Sequence, residues 1–72
     1  MNVFIQVRTN LAAPLDVKYL KYKDVFKIES KGSGLVFISY YIWYKDSHME
    51  PSYTEHTDNI LEDNIIEMKV TL

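Results

Sequence analysis

The sequence predicts a mainly β domain: a four- or five-stranded antiparallel curved sheet or small barrel, with one short helical turn near the C-terminal third. Three observations carry this. The opening residues alternate in hydropathy, both glycines lie between two β-rich runs, and residues 35–45 are dense in β-branched and aromatic side chains.

In Asn2–Arg8, Val3, Ile5 and Val7 share one face and Phe4, Gln6 and Arg8 the other, the period-two pattern of a half-buried strand. Residues 9–14 read as a loop, because Pro14 has no amide proton for a ladder. Residues 16–22 alternate again, with Val17, Tyr19 and Lys21 opposite Lys18, Leu20 and Tyr22. Asp24 interrupts as a bulge or a tight turn. Val25–Ser30 resumes as strand, with Phe26 and Ile28 expected on one face.

The segment 31–34, Lys-Gly-Ser-Gly, reads as a tight hairpin connection, since glycine reaches positive φ without a Cβ clash. Its arms are Val25–Ser30 and Leu35–Lys45, the second expected to lie centrally in the sheet. Residues 46–58 are polar, carry Pro51, and read as a long loop with a short edge strand near Tyr53. Residues 58–72 fit both periods. The preferred reading is a helical turn at about 59–63, capped by Asp58, then a strand at about 64–71.

Seventy-two residues allow one small domain, residues 1–72, with a thin core. The chain has no cysteine, which excludes disulfides and thiolate metal sites. The opening residues carry no basic region before an apolar stretch, and the longest apolar run is too short to span a bilayer. No membrane association is therefore expected. The expected location is the cytoplasm, that of the host cell for a phage-encoded chain.

Residues 35–44 are apolar on both faces. Leu35, Phe37, Ser39, Tyr41 and Trp43 form one face, and Val36, Ile38, Tyr40, Ile42 and Tyr44 the other. A one-sided antiparallel sheet alternates apolar with polar. Either curvature covers both faces, or one stays open as a binding surface or a homodimer interface. Base stacking on these rings is a further use, with Lys18, Lys21, Lys23, Lys27 and Lys31 as flanking cations. A net charge of −2 and a pI of about 5.5 weigh against nucleic acid.

Charge is divided along the chain. Residues 1–45 carry a net +4, while residues 46–72 carry a net −6, with Lys69 alone against Asp46, Glu50, Glu55, Asp58, Glu62, Asp63 and Glu67. The halves either interleave as weak cross-strand pairs or leave 46–63 as an exposed acidic edge. Such an edge suits a basic groove on a nucleic-acid-processing enzyme, because carboxylates can stand in for phosphates.

His48 with Glu50 and His56 with Asp58 are histidine–carboxylate pairs at i, i+2, which share a face on a strand. They are the weak candidates for a metal site, with solvated loop residues as the ordinary alternative. No nucleophile elbow or phosphate loop is present, and Ser33 is accounted for by the hairpin. Neither enzymatic activity nor a cofactor is expected.

The function expected is that of a protein-binding module, a regulator or inhibitor of a larger protein, of a kind phages encode. Its partner-binding residues are Tyr40, Tyr41, Trp43, Tyr44, Asp46, Glu50, Glu55, Asp58, Glu62 and Asp63, and it is expected to form a homodimer. The alternatives are a nucleic-acid-binding β-barrel that uses the rings and the N-terminal lysines, and a structural homo-oligomer subunit.

Overall fold

A computed structural model describes residues 1–9, 16–30 and 32–72. Six strands follow in chain order: β1 (Asn2–Arg8), β2 (Val17–Tyr22), β3 (Val25–Ser30), β4 (Leu35–Lys45), β5 (Pro51–Leu61) and β6 (Ile65–Thr71). A 3-10 turn, Glu62–Asn64, separates β5 from β6. The strands form two three-stranded antiparallel sheets, ordered β2-β1-β6 and β3-β4-β5. Among the described residues the strand count is thus six rather than four or five, and the two sheets do not close into a barrel. Among the described residues no helix is long and apolar enough to cross a membrane.

The core is the alternating face of β1 laid against the second sheet. Val3, Ile5 and Val7 meet Val25, Val36, Ile38 and Ile60, with Leu20, Tyr22, Ile28, Tyr40 and Ile65 packed around them. Ile5 and Ile38 lose all solvent contact. Asp24, at φ +55°, is the turn between β2 and β3 and passes the chain from one sheet to the other. The junction is tied by three backbone bonds. The Met1 ammonium donates to the Val25 carbonyl at 3.2 Å, the Val25 N–H to Met1 at 2.8 Å, and the Tyr41 N–H to Asp24 at 3.1 Å.

Gly32 and Gly34 hold φ of +71° and +79° between β3 and β4, as the hairpin reading requires. Four expectations need correction. A bulge between Val25 and Lys27 turns Phe26 away from Ile28, so the two do not share a face. The expected long loop at 46–58 is mostly β5, eleven residues paired throughout with β4. The helical turn lies at Glu62–Asn64 instead of 59–63, because 59–61 complete β5. Asp58 accordingly caps no helix. The loop expected over 9–14 lies outside the described residues beyond Thr9, and so does Lys31.

Candidate protein-interaction site

β4 and β5 stay in register from Leu35↔Leu61 to Lys45↔Pro51, whereas β3 accompanies β4 only as far as Tyr40. Residues 41–45 and 51–55 therefore continue as a two-stranded ribbon beyond the core. Cover stops where β3 stops. Val36 and Ile38 are buried, while Ile42, Trp43 and Tyr44 on the same strand are exposed.

One face of this ribbon carries rings. Trp43 lies opposite Tyr53 in the register, and their ring centroids are 5.3 Å apart. Tyr41 meets the Tyr53 ring edge-on at 4.8 Å and stacks on Phe26 of β3 at 4.4 Å. Trp43 is 55% exposed, Tyr53 49% and Phe26 41%. Four aromatic side chains thus form one contiguous, solvent-facing patch. Glu55 stands opposite Tyr41 and two residues from Tyr53 on the same face. Towards the 31–34 turn the face dips into a hollow of about 190 Å³ lined by Lys27, Glu29, Phe37, Ser39 and Thr57.

The other face of β4 and β5 is built differently. Asp58, opposite the fully buried Ile38, points into the fold. The Tyr22 hydroxyl donates to its Oδ2 at 2.9 Å, and the Tyr40 hydroxyl to its Oδ1 at 3.4 Å. Burial, then the hydrogen bond to Asp58 and its charge, pushes the Tyr22 phenol well above the ordinary tyrosine value. Tyr40 is raised by burial and by Asp58 as well. The Tyr40 ring stacks on His56 at 5.9 Å, and His56 Nε2 lies 3.0 Å from the Thr54 hydroxyl.

At the ribbon tip, Asp46 Oδ1 accepts the backbone N–H of His48 and of Glu50, both at 2.9 Å. This carboxylate holds the turn, with Met49 in the left-handed region at φ +61°.

The structure thus distributes the expected partner-binding residues. Tyr41, Trp43 and Glu55 share the ring-bearing face. Tyr44 lies on the opposite face of the ribbon, Tyr40 and Asp58 turn inward, and Asp46 is engaged in the tip. Glu50 lies at that tip. Glu62 and Asp63 sit at the far end of β5, where the Glu62 N–H donates to Gly34 at 2.9 Å. At about 3.3 Å per residue, β5 separates the two acidic ends by roughly 35 Å. Phe26 and Tyr53 belong to the patch but were not among the expected residues. The Tyr53 signal is the hairpin register: with the turn centred on His48, positions 43 and 53 fall opposite one another.

The two halves pair strand to strand, β6 with β1 and β5 with β4, but among the described residues their charges do not pair across. Lysines 18, 21, 23 and 27 lie on or between β2 and β3, and most of the acids on β5, β6 and the turn between them. Among the described residues the ion pairs, Lys27–Glu29 at 2.8 Å and Lys69–Glu67 at 3.4 Å, each join residues of one half. Also among the described residues, no three histidine, aspartate or glutamate side chains gather as a metal site. His48 and Glu50 lie at the tip, five or more residues along the hairpin from His56 and Asp58. Comparison with family models, curated proteins and solved structures finds no match to this chain.

Proposed function

We propose that the chain is a protein-binding module that engages a larger protein through the ring-bearing face of the β4–β5 ribbon, with β5 supplying negative charge. The observation that carries this reading is the patch of Phe26, Tyr41, Trp43 and Tyr53, which stands outside the core on a projecting ribbon. Clustered tyrosine and tryptophan give large contact area at low entropy cost. A regulator or inhibitor of a nucleic-acid-processing enzyme in the cytoplasm is the role this chemistry suits, and phages encode proteins of that kind. A second reading, self-association, is favoured by Ile42 and Tyr44, which are 44% and 48% exposed on the opposite side of the same ribbon.

The test is capture from extracts of the native cell at two salt concentrations. Changing Glu50→Lys and Glu55→Lys is expected to weaken recovery of the partner, most strongly at low salt. Asp58 is left intact because its reversal would break the two tyrosine bonds. Salt-dependent, micromolar binding of oligonucleotides by the unaltered protein would sink this reading in favour of nucleic acid.

A further inference from the structure

Glu55 is placed unusually for a surface carboxylate. In the β4–β5 register it faces Tyr41, neighbours Tyr53 along its own strand and lies diagonal to Trp43. Cross-strand partners on one face have Cβ atoms about 5 Å apart, and diagonal ones about 7–8 Å. One negative charge is therefore set among three aromatic rings, and it belongs to neither of the ion pairs among the described residues.

Rings and carboxylate ask for the same ligand. A ring face carries negative potential and attracts a cation, most strongly at indole. A guanidinium is planar, so it can lie over a ring while its edge donates two parallel hydrogen bonds to a carboxylate. An ammonium is a compact, strongly hydrated charge and offers neither the stacking plane nor the two parallel donors. We infer that this patch seats an arginine side chain from a basic segment of the partner, with the guanidinium over Trp43 and Tyr53 and paired with Glu55. The inference rests on the protein-binding reading and names the chemistry of the partner.

Charge selects this occupant. Glu55 on this face repels a phosphate, which disfavours a nucleic acid there. A second copy is also a poor fit. Symmetric packing of two such faces would bring no guanidinium to either Glu55. The single arginine of the chain, Arg8, is half-buried on β1 in the other sheet with its Nε enclosed. Lys45 stands one row beyond Trp43, so the arginine approaches from the Glu55 side.

Trp43 is the sole tryptophan, so its fluorescence reports on the patch directly. The full chain is titrated with an end-capped glycine–serine peptide bearing two arginines, and with matched lysine and citrulline peptides. The arginine peptide is expected to change Trp43 emission saturably, with affinity about five-fold or more above the lysine peptide and no response to citrulline. Glu55→Gln is expected to lower the arginine affinity about five-fold while leaving the circular dichroism and melting midpoint unchanged. Tyr53→Ala, on the same face, is expected to weaken it comparably. Equal response to all three peptides, no saturable response, an unchanged Glu55→Gln affinity, or tighter binding of oligothymidylate would overturn the inference. The broader reading fails separately. If Trp43→Ser and Tyr53→Ser leave capture of the cellular partner intact, the patch is not the protein-binding face at all.

Discussion

Met49 holds φ +61° at the ribbon tip, and its side chain is 69% exposed. A left-handed conformation costs a non-glycine residue about 1–2 kcal/mol, and an exposed side chain recovers little of this by packing. The turn is nevertheless held, because Asp46 accepts two backbone N–H groups there. Met49→Gly is therefore expected to stabilise the protein by about 1 kcal/mol, a rise of roughly 4–8 °C in Tm by thermal melting. Asp58 and Tyr22 give a second residue-level prediction. Tyr22→Phe removes the 2.9 Å donor and is expected to cost about 1.5–3 kcal/mol, measured by denaturant unfolding at neutral pH. The sign of the pH dependence follows from the raised phenol. Below the unfolded-state value near 10 both states keep the proton, and the full stabilisation is present. Above it the unfolded chain loses the proton first, so stability falls as pH rises towards the folded-state value. Tyr22→Phe should flatten that alkaline decline.

Between elements, the decisive fact is that β3 ends its partnership with β4 at Tyr40 while β5 continues to Lys45. Amides of 41–45 and 52–55 are expected to exchange with solvent much faster than those of Val36 and Ile38, because the ribbon end lacks core contacts. Hydrogen exchange read residue by residue checks this, and equal protection along β4 would contradict it. The same fact explains what could be read beforehand. β1 was legible because one of its faces is buried and the other is not, so Val3, Ile5 and Val7 alternate with more exposed neighbours. The glycines announced the β3–β4 turn through their backbone freedom. β5 was illegible because most of it is solvated on both faces, so Ser52, Thr54, Glu55, His56 and Thr57 show no alternation and resemble a loop. Phe26 was misplaced because a bulge shifts register without leaving a compositional mark. Asp58 read as a surface acid because its two tyrosine donors lie 18 and 36 residues away.

For the molecule as a whole, shape and charge act together. The extents are 50 × 25 × 21 Å and the radius of gyration 14.6 Å, against about 11 Å for a compact chain of this length. The excess length accords with a ribbon that extends past a seven-residue core. Sedimentation at micromolar concentration is expected to show a homodimer, and Ile42→Ser with Tyr44→Ser to return it to a monomer. A monomer for the unaltered chain would leave the ribbon to a different partner.

Among the described residues, β5 also has no strand partner along one entire side of its backbone over eleven residues, Pro51–Leu61. An open strand of that length is a template on which further strands can add without limit, the first step towards fibrils. Proline at its start and carboxylates along it are the usual guards against such growth. The acids that mark this strand for a cationic partner thus have a second, colloidal duty: they keep identical molecules from polymerising on one another. Any substitution that neutralises them trades solubility for adhesion.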